Sequence, residues 1–121
     1  MSTTESEKNL MVAQDYYRAM LQKNFAEMEE CLHPDIYFIS PLAEMSGKEA
    51  VVSAAKNLSQ ILSNIEIRAK FACDNQVMLA YDFMFPKPIG KLRSAVLMEF
   101  TDKLISKIEL FFDARAFEEK S

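Results

Sequence analysis

The most constraining stretch of the chain is Val77-Met78-Leu79-Ala80-Tyr81-Asp82-Phe83-Met84-Phe85. It is rich in β-branched and aromatic residues and lies between Asn75-Gln76 and Pro86-Lys87-Pro88, which predicts a strand. Side chains alternate across a strand. Val77, Leu79, Tyr81, Phe83 and Phe85 therefore share one face, and Met78, Ala80, Asp82 and Met84 share the other. Both sets are apolar apart from Asp82, so both faces should be covered. A lone carboxylate in such a place costs on the order of several kcal/mol unless it is paired, hydrogen-bonded or neutralised.

The rest of the chain supplies elements to cover that strand. A helix is expected from Thr4, with Glu7 as capping-box partner, after a frayed start over residues 1–5. Its apolar stripe is Leu10, Ala13, Tyr16, Tyr17, Met20 and Leu21. Asn24 and Glu27 cap a second, short helix, which Pro34 is expected to end. Residues 36–39 read as a short strand closed by Ser40-Pro41. Ser46 and Glu49 read as a further capping box, opening a helix striped by Val51, Ala54, Ala55, Leu58, Ile61 and Leu62. Residues 65–73 alternate strictly, with Ile65, Ile67, Ala69, Phe71 and Cys73 on one side, and predict a half-exposed strand. Two more strands follow at 92–100 and 105–113. Consecutive strands joined by short turns make an antiparallel meander. With the helices segregated to one side, the fold class is α+β in a single domain spanning 1–121.

Composition narrows the function. A net charge of −4 and a pI near 5 argue against a nucleic-acid partner. No apolar run approaches the length of a membrane span, and the first residues lack the order of a signal peptide, so a cytoplasmic protein is the default. Cys31 and Cys73 read as two buried thiols rather than a disulfide. His33 is the only histidine, which makes a zinc site a poor expectation. There is no phosphate loop, since Gly47 and Gly90 are the only glycines. No cofactor is implied.

The ordered set Tyr16-Tyr17-x-x-Met20, Lys23-Asn24-Phe25, Leu32-His33-Pro34-Asp35-Ile36-x-Phe38-x-Ser40-Pro41 and Gly47-Lys48-Glu49-Ala50-Val51 resembles the nuclear transport factor 2-like superfamily. It is most similar to the SnoaL-like and ketosteroid-isomerase-like branches, over nearly the whole chain. The resemblance implies a cone: a curved sheet wrapped around three N-terminal helices, with a deep apolar pocket between them. Such proteins include isomerases, polyketide cyclases, epoxide hydrolases, dehydratases and non-catalytic binding domains. It places Tyr16 where the isomerases carry a hydrogen-bond donor. Their catalytic base falls at Ser40 and their second acid at Val96, so two of the three catalytic groups are missing.

Asp82 is then the best chemical candidate, as a general acid/base on a lipophilic carbonyl compound, with Tyr16 as donor. The competing reading is a structural Asp bonded to Tyr16, Ser94 or an arginine such as Arg68. The expected pocket lining is Tyr16, Met20, Phe38, Ser40, Ala80, Met84, Ser94, Val96, Met98, Leu110 and Phe112. Tyr81, Phe83, Phe85, Ala95, Leu97 and Phe111 are expected on the outer sheet face, as the contact surface of a homodimer. Two functions stay open: a cofactor-free isomerase, cyclase or dehydratase, and a non-catalytic ligand-binding or dimeric interaction domain.

Overall fold

A computed structural model of the chain describes residues 4–117. Helix α1 (Glu5–Gln22) opens with the expected capping box: Thr4 Oγ1 accepts from the Glu7 amide and Glu7 Oε1 accepts from the Thr4 amide. Of the start expected to fray, residues 1–3 lie outside the described residues and Glu5 is already helical. Lys23 ends α1 in the left-handed region at φ 58°, and its ammonium donates to the Ser59 carbonyl at 2.6 Å. That bond ties α1 to the last turn of α3 (Lys48–Ile61). Between them lie α2 (Phe25–Glu30), capped by Asn24, then strand β1 (Leu32–Ile39) and the short β2 (Glu44–Ser46). Two boundary expectations are corrected. Pro34 does not end α2, which stops at Glu30, but lies inside β1. Ser46 does not cap α3, because it belongs to β2; Gly47 is the N-cap, at φ 94°, and no side chain bonds there.

Strands β3 (Asn64–Cys73), β4 (Gln76–Met84), β5 (Lys91–Thr101) and β6 (Leu104–Phe112) form the antiparallel meander. β1 then pairs with β6 in parallel, Phe38 opposite Ile108, and the sheet order is β2-β1-β6-β5-β4-β3. No local turn signals that parallel pairing, so it was not legible in the sequence.

Strand β3 carries a bulge. Ile67 pairs with Tyr81 but Ala69 pairs with Ala80, which leaves Arg68 as the extra residue. The bulge reverses the phase of everything after it. Ile65, Ile67 and Ala72 pack on the core, whereas Phe71 is 67% exposed. The single alternation expected over 65–73 is thereby corrected, and Cys73 is exposed, not buried as expected, while Cys31 is buried.

The faces of β4 are the reverse of those expected. Val77, Leu79, Tyr81, Phe83 and Phe85 are all buried in the core, under the helices. Met78, Ala80, Asp82 and Met84 look outward, opposite Leu97, Ala95, Arg93 and Lys91 of β5. The bulkier apolar set takes the core because it removes more apolar area from water. Among the core residues on α1, Asn9 is fully buried with neither amide atom hydrogen-bonded among the described residues. A polar group in that state costs about 1–3 kcal/mol.

Candidate functional site

Two adjoining hollows lie between the helices and the inner sheet face. The inner chamber, about 60 Å³, is lined by Tyr16, Tyr17 and Met20 of α1, Val51, Ala54, Ala55 and Leu58 of α3, and Phe38, Phe83, Ile108 and Leu110 of the sheet. The outer chamber, about 210 Å³, shares Phe38, Ala54, Leu58, Phe83 and Leu110 with it, and adds Ser40, Leu42, Ala43, Met45, Phe85, Leu92, Phe112 and Phe117. The hollow has a simple origin. α3 turns Ala54 and Ala55 toward the sheet, where longer side chains would fill the gap. A larger concavity, about 650 Å³, runs past Glu29, Lys48, Glu49 and Lys56. It is a shallow surface groove with charges of both signs, whereas the two smaller chambers are apolar and less exposed.

One wall of the cavity is aromatic. Ring centroids step from Tyr16 to Tyr17 (5.1 Å), Tyr81 (5.0 Å), Phe83 (4.8 Å) and Phe85 (5.8 Å), and on to Phe117 (5.7 Å) and Phe112 (5.5 Å). At the closed end the Tyr17 and Tyr81 hydroxyls share a buried 3.0 Å hydrogen bond. Two phenol protons serve that one bond, so one is left over. When Tyr81 donates, the Tyr17 proton is free at the chamber that Tyr17 lines. Tyr16, 3% exposed, lines the same chamber. Burial pushes all three phenols well above their usual range; for Tyr16 its phenol neighbour Tyr17 adds to this. They therefore stay neutral, and the base of the cavity offers hydroxyl donors.

The expected lining separates into three groups. Tyr16, Met20, Phe38 and Leu110 meet at the inner chamber, and Ser40 and Phe112 at the outer one. Ser94, Val96 and Met98 are buried on the same inner face, where Ser94 Oγ bonds the Leu92 carbonyl. Ala80 and Met84 stand on the other side of the sheet, which corrects their placement in the pocket. Ser40 closes its own loop: Oγ accepts from the Leu42 and Ala43 amides at 3.2 and 3.1 Å. Sequence reasoning missed Tyr17, Val51, Ala54, Ala55, Leu58 and Ile108 at the inner chamber and Leu42, Ala43, Met45, Leu92 and Phe117 at the outer one. It placed Phe83 and Phe85 on the wrong face.

Asp82 is the main correction. It is 1% exposed, but it is buried on the outer face, not in the cavity. The bulge that expels Arg68 from the ladder aims it at this carboxylate, and Arg68 Nε donates to Oδ1 at 3.1 Å. Arg93 Nε stands at 3.9 Å. The structural alternative with Arg68, weighed from the sequence, is the arrangement observed. His33 also stands outside the cavity, its Nδ1 accepting from the Asp35 amide. The Cys31 thiol, pushed up to about 11 by burial and by Asp15, Glu27 and Glu30, is a poor nucleophile. Among the described residues there is no cluster of His, Cys, Asp and Glu that could hold a metal ion, and no helix long and apolar enough to cross a membrane.

A curved antiparallel sheet closing over three helices, with an apolar hollow between them, defines the class: an α+β protein of the nuclear transport factor 2-like fold. The chain belongs to the SnoaL-like domain family, whose model matches residues 13–108. No curated protein matches it in sequence. Among solved structures it is similar to a nuclear transport factor 2-like protein of unknown function from Cytophaga hutchinsonii, with 18% identity, 98% of each chain covered and a TM-score of 0.80. A candidate ketosteroid isomerase from Kribbella flavida shares 15% identity over 99% of this chain and 85% of its own, with a TM-score of 0.79. A de novo designed protein with a curved β-sheet does as well, at 21% identity, 95% and 90% coverage and a TM-score of 0.82. Likeness at these identities shows the fold alone, and a fold does not by itself fix an activity.

Proposed function

We propose that this chain binds a compact lipophilic molecule carrying one hydrogen-bond acceptor, held in the apolar cavity with that acceptor at the tyrosine end. One observation carries the reading: the lining of the two chambers is apolar except for tyrosine and serine hydroxyls, and at the closed end the tyrosines are neutral donors. The proton-transfer alternative needs a base at the ligand, and its named residue, Asp82, lies across the sheet in an ion pair with Arg68. Size points to a single ring. A hollow of roughly 150 Å³ holds benzene, and the outer chamber here is about 210 Å³. Calorimetric titration of acetophenone and of its hydrocarbon analogue ethylbenzene tests this. The ketone is expected to bind more tightly, and Tyr16→Phe to remove about 1 kcal/mol from the ketone alone, the net worth of one hydrogen bond. Equal losses for both molecules would sink the donor assignment.

We also propose that a second copy of the chain covers the outer face. Phe71, Met78 and Phe111 are 67%, 39% and 43% exposed there, beside Leu97 and Ala95, with Lys107 and Glu99 at their side. Of the expected contact residues, Tyr81, Phe83 and Phe85 drop out, because they face the core. Sedimentation equilibrium should report a dimer of the 13.9 kDa chain that Phe111→Glu converts to monomer. A monomeric wild type at tens of micromolar would contradict it.

A further inference from the structure

We propose that Phe117 sets the upper size of the bound molecule, as a displaceable stopper in the mouth of the cavity; this rests on the cavity being the binding site. Phe38, Phe83 and Phe112, which line the same mouth, are carried on strands of the sheet. Phe117 instead sits on the short 3-10 turn Ala114–Phe117 that follows β6. Its ring lies edge-on to Phe85 at 5.7 Å and to Phe112 at 5.5 Å. It thus spans the open end of the hollow, between the ends of β4 and β6. The turn is held locally. Asp113 accepts from the Arg115 amide at 3.0 Å and from its guanidinium at 2.6 Å, and both side chains are largely exposed. Among the described residues, edge-on ring contacts, partial packing on the core and a solvated ion pair hold the turn, a weaker latch than the hydrogen-bonded sheet beside it. Swinging or deleting this ring adds its volume to the outer chamber, while the tyrosine end stays as it was. Phe117 therefore discriminates between ligands by length, not by polarity.

Calorimetric titration with acetophenone, one ring, and 2-acetylnaphthalene, two fused rings, separates the possibilities in wild type, Phe117→Ala and Phe117→Leu. Phe117→Ala is expected to tighten the naphthyl ketone about tenfold relative to wild type, with acetophenone changed by less than about threefold. Phe117→Leu, which keeps an apolar side chain at the mouth, should fall between, and it decides the matter if the alanine variant does not fold. Acetophenone binding with naphthyl affinity unchanged in both variants overturns the stopper alone. Failure of both ketones to bind any of the three proteins overturns the cavity reading and the stopper with it.

Discussion

Arg68→Met is expected to destabilise the protein by about 2–3 kcal/mol, a fall of roughly 10 °C in melting temperature for a chain of this size. The side chain of Asp82 is only 2% exposed, so its carboxylate depends on protein partners. Among the described residues, Arg68 supplies its one side-chain hydrogen bond, at 3.1 Å. Arg93, at 3.9 Å and 74% exposed, is too distant and too solvated to replace it. Breaking a fully buried pair by removing one partner costs about 3–5 kcal/mol; the figure here is trimmed because Arg68 is itself about a third exposed. The reverse change behaves differently. Asp82→Leu removes the costly charge and leaves Arg68 free to reach water, so its stability should stay within about 1 kcal/mol of wild type. The double variant should recover most of what Arg68→Met loses. Urea unfolding of the three variants checks this asymmetry. Equal damage from Arg68→Met and Asp82→Leu would contradict it.

Ala54→Phe should abolish ligand binding, weakening it by about a hundredfold or more, while the protein stays folded. Ala54 lies on α3 and lines both chambers. A phenyl ring grown from it enters space that is now empty, so the clash of ordinary overpacking is reduced. Alanine at a helix position that faces a sheet is otherwise a poor use of burial, and the hollow explains why it is tolerated there. Unchanged affinity in a folded Ala54→Phe protein would place the ligand elsewhere. An unchanged far-ultraviolet spectrum and melting temperature establish that the fold is intact.

Much of the architecture could be read from the sequence because its signals are local. The Thr4 capping box, the Asn24 cap and the four consecutive strands each follow from residues a few positions apart. The set of motifs between Tyr16 and Val51 pointed to the SnoaL-like family, and the family match confirms it. What was misread depends on pairing across the chain. The period of a strand is two, so choosing the wrong face moves every side chain at once. The resemblance sets the Asp82 face of this strand toward the pocket, and that choice carries Ala80 and Met84 inward and Tyr81, Phe83 and Phe85 outward. The sequence did hold the opposing signal: Val, Leu, Tyr, Phe and Phe make a bulkier core face than Met, Ala, Asp and Met. Arg68 gave no warning, because a bulge shows only once the register with β4 is known. The resemblance implies an apolar pocket, and Tyr16, Met20, Phe38, Ser40, Leu110 and Phe112 of the expected lining stand at it; its size was not legible, since that depends on how Ala54 and Ala55 meet Phe83 and Leu110.

The most direct test is a calorimetric titration of acetophenone into wild type, Ala54→Phe and Asp82→Leu. A binding site in the apolar cavity, with Asp82 a structural residue behind the sheet, predicts equal affinity for wild type and Asp82→Leu and none for Ala54→Phe. Loss of binding in Asp82→Leu, with binding kept in Ala54→Phe, would contradict the assignment of the site.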